Sequence, residues 1–146
     1  MPPRTRTRTR TAALGALARA AALDPAAPRS ERLGLHNDPY AMSEAALTTH
    51  VIGAAKDLDY TLRYHTRDSR GSDKGFPDWV LVNVRRGRFI LAELKKQDGT
   101  VKPEQKDWAA GLLELVRMGL RIEYYLWRPA DWYSGDIQRI LAARPA

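Results

Sequence analysis

Asp78-Trp79-Val80-Leu81-Val82-Asn83-Val84-Arg85-Arg86-Gly87-Arg88-Phe89-Ile90-Leu91-Ala92-Glu93-Leu94-Lys95 carries the architecture of this chain. Two runs rich in β-branched and aliphatic residues, 78–84 and 88–95, flank Arg85-Arg86-Gly87. A glycine in that linker can take the positive φ of a tight turn, so the stretch predicts a β-hairpin. Alternation along the second strand puts Glu93 and Lys95 on one face and Ile90, Ala92 and Leu94 on the other. A carboxylate and an ammonium on an otherwise apolar strand are costly unless they are paired or used. Closing the hairpin brings Asp78 level with Glu93 or Leu94, and opposed residues stand with Cβ atoms about 5 Å apart. Two carboxylates that close repel, and a divalent cation between them removes the repulsion. Hard oxygen ligands select Mg²⁺ or Mn²⁺ over zinc. An ordinary ion pair at a strand end would produce the same spacing.

Two helices flank the hairpin and each brings a polar residue to bear. Upstream, Ser43 is a good N-cap, and Leu47, Val51, Ala55 and Leu58 recur at helical spacing. Glu44 lies in line with that stripe. Downstream, Pro103 suits a first helical turn, and Trp108, Leu112, Leu115, Val116 and Gly119 lie near one face, with Gly119 as the C-cap. Gln105 stands in line with this second stripe, as Glu44 does with the first. A polar side chain at the start of each stripe is what a site at one edge of the sheet requires; an ordinary first-turn residue would look the same. A strand at 60–64 precedes the hairpin and another at 122–127 follows the second helix. A short helix, 137–143, ends the pattern. The order is αβββαβ plus a short C-terminal helix, an α/β fold with a mixed sheet, and the strand–helix–strand unit predicts a parallel crossover.

The hairpin residues and their neighbours also resemble a known family. Gly75-Phe76-Pro77-Asp78, then Ala92-Glu93-Leu94-Lys95-Lys96, then Lys102-Pro103-Glu104-Gln105-Lys106-Asp107-Trp108 look like the VRR-NUC branch of the PD-(D/E)XK nucleases, over about Ser43 to Leu141. The resemblance implies a restriction-endonuclease-like core and a metal-dependent DNA endonuclease. It makes Glu44 the first-helix acid, Asp78 and Glu93 the metal ligands with the Leu94 carbonyl and, as a further candidate, Glu44. Lys95 becomes the catalytic lysine and Gln105 its usual companion. Small members of the branch are often phage-encoded and Holliday-junction-resolvase-like. That implies structured or branched DNA as substrate, a homodimer, Mg²⁺ (or Mn²⁺) as cofactor, and the cytoplasm of a bacterial or phage-infected cell as the setting. Relatives often carry a glutamine four residues after the helix acid, where this chain has Thr48. A non-catalytic nucleic-acid-binding protein and an RNA-processing nuclease on the same fold are the alternatives.

Charge places the contacts to DNA. The formal net charge is +7 over 146 residues. Residues 1–30 hold six arginines and one acid, so most of the excess lies there and the rest of the chain is nearly balanced. Residues 1–41 therefore read as a basic, disordered arm and 42–146 as the nuclease domain. The loop after the first strand offers His65, Arg67, Arg70 and Lys74 for phosphate contacts, joined by Lys96 and Lys102, although Asp68 and Asp73 offset part of its charge. Arg85, Arg86 and Arg88 are either a second backbone-binding patch or edge protection. The four tryptophans form no stacking platform, and Trp108 is expected in the core. The absence of cysteine excludes disulfides and thiolate metal sites, and no apolar run reaches membrane-spanning length.

Overall fold

The hairpin forms as its sequence directs. In the computed structural model, which describes residues 37–66 and 73–144, strands β2 (Trp79–Asn83) and β3 (Arg88–Leu94) pair antiparallel, with Trp79 opposite Ala92 and Asn83 opposite Arg88. Gly87 closes the turn at φ 64. Asn83 braces it from below: its Oδ1 accepts from the Arg86 N–H at 3.0 Å, and its Nδ2 donates to the Leu58 carbonyl at 2.8 Å. Residues 1–36, Arg67 and Arg70 lie outside the described residues, and the expectations for the basic arm and for those two arginines fall there. Met42–Ala146 form one compact unit.

β3 is the centre of a four-stranded sheet ordered β1-β2-β3-β4. β1 (Leu62–His65) pairs antiparallel with β2, and β4 (Glu123–Trp127) pairs parallel with β3. Helix α1 (Glu44–Asp57) precedes the sheet and α2 (Pro103–Arg117) makes the crossover from β3 to β4. The α/β class, the mixed sheet and the αβββαβ order are those expected. Ser43 caps α1, its Oγ accepting from the Ala46 N–H at 3.0 Å. One sheet face carries the core: Leu81, Ile90, Ala92, Leu94 and Trp127 pack against Leu47, Val51 and Ala55 of α1. Ile137 and Leu141 close this layer from a terminal helix.

Three details depart from the sequence reading. Tyr60, expected on the first strand, is fully buried, and its hydroxyl donates to the Leu141 carbonyl at 2.9 Å, so β1 starts at Leu62 instead. The end of the chain holds two short helices rather than one, α3 (Pro129–Tyr133) and α4 (Asp136–Ala142). The third concerns α2. Only Leu112 is buried on it, while Trp108, expected in the core, is 38% exposed. Of the strands α2 packs chiefly on β4, an outer strand of the sheet, and among the described residues no second layer covers its opposite flank.

Two of the turn arginines are structural. Arg88 is buried, ion-paired to Glu123 at 2.6 Å, and donates to the Ile140 and Ala143 carbonyls, each at 2.7 Å. Arg86 donates to the Ala142 carbonyl at 2.5 Å. Both hold the C-terminal end of α4, where unpaired carbonyls attract cations. Arg85 alone faces solvent, in an exposed pair with Asp59.

Candidate active site

On the sheet face opposite the core, cross-strand register lines up Tyr64, Val80, Leu91 and Tyr124, and beside them Leu62, Val82 and Phe89. Directly paired residues share a face, so Glu93, two residues beyond Leu91, points to this side, towards α2. Asp78 precedes β2 by one residue and stands level with Glu93 by the same register.

The backbone around Asp78 is held from three directions. Thr66, at the end of β1, donates its N–H to the Asp78 carbonyl at 2.8 Å and its hydroxyl to the Pro77 carbonyl at 2.9 Å. Gly75 adopts φ 95 and lies against the first turn of α2: a Cβ there would stand 2.5 Å from the Glu104 carbonyl carbon. That is why glycine occupies the start of Gly-Phe-Pro-Asp. Finally, the Leu94 N–H donates to Asp78 Oδ2 at 2.9 Å.

Glu93 is 1% exposed and carries the electrostatic load of the site. Lys95 Nζ lies 3.0 Å from its Oε1, and Gln105 Nε2 donates to the same oxygen. Gln105 is itself oriented, because its Oε1 accepts from the Lys102 N–H at 2.9 Å across the start of α2. The other oxygen, Glu93 Oε2, is buried and makes no hydrogen bond of normal geometry among the described residues, although the Asp78 N–H still favours the charged carboxylate. Burial pushes the Glu93 carboxyl upward, the charge of Asp78 adds to the rise, and the Lys95 ammonium offsets part of it. Lys95 is anchored by its N–H, which donates to the Trp127 carbonyl at 3.0 Å.

The fold thus brings together Asp78, Glu93, Lys95 and Gln105, with Leu94, the last residue of β3, between Glu93 and Lys95. Glu44 is exposed in the first turn of α1, whose buried stripe packs on the other sheet face, and among the described residues no hydrogen bond or ion pair links its carboxylate to these four. Among the described residues no three His, Cys, Asp or Glu side chains gather as a metal-holding group. Asp78 and Glu93 are the pair that could hold a cation.

The remaining candidates sit around this centre. Lys74 and Lys102 are exposed, and Lys96 is exposed in a 3.4 Å pair with Asp98. His65 stacks on Trp79, ring centroids 4.5 Å apart. Trp79 pairs with Ala92 of the core face, so His65 points away from the carboxylates. One residue was missed. Burial raises the Tyr124 phenol, and the charges of Glu93 and Asp78 raise it further, so it faces the same pair. Strand alternation in Glu123-Tyr124-Tyr125-Leu126-Trp127 was the available signal, since it puts one tyrosine on each face.

A mixed sheet with two acids and a lysine at the rim of its central strand is the arrangement of a PD-(D/E)XK-like nuclease. Residues 41–124, more than half of the chain, match the VRR-NUC domain, and the chain belongs to that family of nuclease domains. Its function is of nuclease type, acting on DNA. No curated protein and no solved structure matches it. Among the described residues no helix is long and apolar enough to cross a membrane.

Proposed function

We propose that the protein is a Mg²⁺-dependent endonuclease that hydrolyses DNA phosphodiesters, with Mn²⁺ able to substitute, and that structured or branched DNA of the Holliday-junction kind is its substrate. The observation that carries this reading is Glu93: a buried carboxylate beside a second carboxylate, with one oxygen that makes no hydrogen bond of normal geometry. Lys95 neutralises only one of the two neighbouring carboxylates, so a metal ion between them would remove the remaining repulsion and desolvation cost. Asp78 and Glu93, with the Leu94 carbonyl, fit a hard divalent ion, because Mg²⁺ is commonly held by one or two carboxylates with water and phosphate oxygens completing its shell. When bound, the ion supplies charge neutralisation at the phosphate and a more acidic water.

The chain's own residues do the rest. Lys95 sits on the Glu93 carboxylate with its ammonium partly accessible, so it can orient a nucleophilic water or stabilise charge on a phosphate oxygen. Gln105 holds Glu93 in place through its own bond to the Lys102 N–H. Glu44 enters the site only by resemblance to the family. Lys74, Lys96 and Lys102 are exposed on the segments leading into Asp78 and away from Lys95, and they would take phosphate contacts. Arg67 and Arg70 would extend these, His65 faces the other side of the sheet and would not, and the arginine-rich start of the chain would add sequence-independent attraction. A homodimer belongs to this reading, since symmetric cutting of a junction needs a two-fold pair. The exposed Leu113, Met118 and Leu120 offer an apolar face for it.

The test is cleavage of a labelled four-way junction, a linear duplex, a single strand and an RNA hairpin, in Mg²⁺, Mn²⁺ or EDTA. Metal-dependent cutting of the junction that disappears in Glu93→Ala supports the proposal. Binding without products in every metal makes the protein a non-catalytic binding module, and cutting confined to the hairpin makes it an RNA-processing enzyme.

A further inference from the structure

Trp108 is a large aromatic residue that the fold leaves partly bare, 38% exposed, in the first half of α2. Its ring meets Phe76 edge to face, centroids 5.1 Å apart at 84°. Both rings are tied to the catalytic pair. Phe76 lies two residues before Asp78, and Trp108 lies three residues, about 4.5 Å of helix rise, after Gln105, which bonds Glu93. From Trp108 an open groove of about 500 Å³ runs along α2, lined by Asp107, Trp108, Gly111, Leu112 and Leu115. At Gly111 an added Cβ would meet nothing within 4 Å, so a missing side chain on the helix widens the groove.

The lining selects the occupant. Its walls are an indole ring, aliphatic side chains and a bare helix backbone, and its one charged group is a carboxylate. A phosphate is repelled there; a flat, uncharged, aromatic ligand is not. A nucleobase has that shape, and its exocyclic amino group can donate to a carboxylate such as Asp107. The groove opens about one helical turn beyond Gln105, which bonds Glu93, and beside Phe76, two residues before Asp78, so a nucleotide whose phosphate lay at Asp78 and Glu93 could swing its own base into it, provided that the base were unpaired.

We propose that Trp108, backed by Phe76, stacks one unpaired nucleobase of the nucleotide adjoining the scissile phosphate, with Asp107 accepting from its amino group. The inference rests on the nuclease reading above and adds to it a specificity device: cutting next to an unpaired base is favoured over cutting within a continuous duplex. Stacking on an aromatic ring tolerates any base, while Asp107 tilts the preference towards adenine and cytosine.

The experiment uses the full chain and a labelled flap substrate whose cut position is mapped in Mg²⁺, with an abasic site then placed in turn on either side of the cut. For the wild type, loss of the base at one of the two positions slows cleavage roughly tenfold or more. In Trp108→Ala and in Gly111→Leu, which fills the groove from an open helix position with a better helix former, intact and abasic flaps are cut at equal rates. A wild type indifferent to both abasic sites, or variants that keep its discrimination, overturns the slot. So does a change of oligomeric state in Gly111→Leu, which assigns the groove to a second copy of the chain. A protein that binds flaps but cuts nothing defeats the nuclease reading separately. The slot is then decided by binding in EDTA, where equal affinity for flaps made abasic on either side of the branch and for intact flaps overturns it.

Discussion

The Leu94 N–H donates to Asp78 Oδ2 across the hairpin at 2.9 Å, so the strand that carries Glu93 and leads into Lys95 also aims the second acid. An asparagine at 78 can still accept this bond through its side-chain oxygen but brings no charge. Asp78→Asn should therefore melt within about 3 °C of the wild type while cleavage falls by about two orders of magnitude or more, the usual cost of losing a charged group at a phosphoryl site. Single-turnover cleavage and thermal melts check it. Near-normal cleavage by a well-folded Asp78→Asn would remove Asp78 from the mechanism.

Glu93 gives a pH dependence whose sign can be worked out. In the unfolded chain its carboxyl titrates at the ordinary value; in the fold burial and Asp78 raise it. Between those two values the folded state holds more protons, so stability falls as pH rises through that window and stays lowered above it. Glu93→Gln should abolish that fall, leaving the metal-free variant more stable than the wild type at neutral pH. Mg²⁺ should stabilise the wild type and not the variant, since it binds only the folded carboxylate pair. Denaturant titrations in EDTA and in Mg²⁺, from about pH 4 to pH 8, decide this. Parallel pH profiles for the two proteins would show that Glu93 is not destabilised in the fold.

The hairpin and the placing of its acids were legible because strand alternation and one turn glycine set a register to within a residue, and Asp78 opposite Glu93 was one of the two outcomes allowed. α1 was legible from Ser43 and its buried stripe. Trp108 was not, because helical spacing shows which residues share a face but not whether another layer covers it. Tyr60 was misplaced for a related reason: a tyrosine next to a strand satisfies its pattern whether it lies on the sheet or plugs the core through a bond to Leu141. The roles of Arg86 and Arg88 depend on carbonyls of Ile140, Ala142 and Ala143, more than fifty residues away, and no local pattern reports those. The helix at Pro129 left a signal that went unread: Asp131 accepts from the Arg128 N–H at 2.8 Å, an aspartate in the first turn after a proline.

Gly75 offers a test of how the Asp78 loop is held. Any Cβ there would stand 2.5 Å from both the Glu104 carbonyl carbon and oxygen, and φ 95 disfavours side chains independently. Gly75→Ala should lose about 1–3 kcal/mol of stability and pull Phe76 and Asp78 away from α2. Cleavage should fall more than the population of folded protein accounts for. If the variant is as stable and active as the wild type, the loop does not rest on α2.

Arg128 lies beyond the matched family region, which ends at residue 124, yet it braces the segment next to the site. Its Nη1 donates to the carbonyls of Lys96, Gln97 and Gly99 at 2.8, 3.1 and 2.9 Å, and the Gln97 Oε1 accepts from the Ala130 N–H at 3.0 Å. These bonds fasten the segment that follows Lys95 to the start of α3. Arg128→Ala leaves three carbonyls without their partner, and a charged donor lost from a partly buried site costs about 2–4 kcal/mol. Asp98→Ala removes the exposed pair with Lys96 and should cost under about 1 kcal/mol, which makes it the control for a change in the same segment. In Arg128→Ala the loosened segment lets the Lys95 ammonium leave Glu93, so cleavage should drop with little change in DNA affinity. Arg128→Lys keeps the charge on a differently shaped, more strongly hydrated head group and should recover only part of either loss. Equal effects of Arg128→Ala and Asp98→Ala on stability and rate would show that Arg128 is a surface side chain with no part in positioning Lys95.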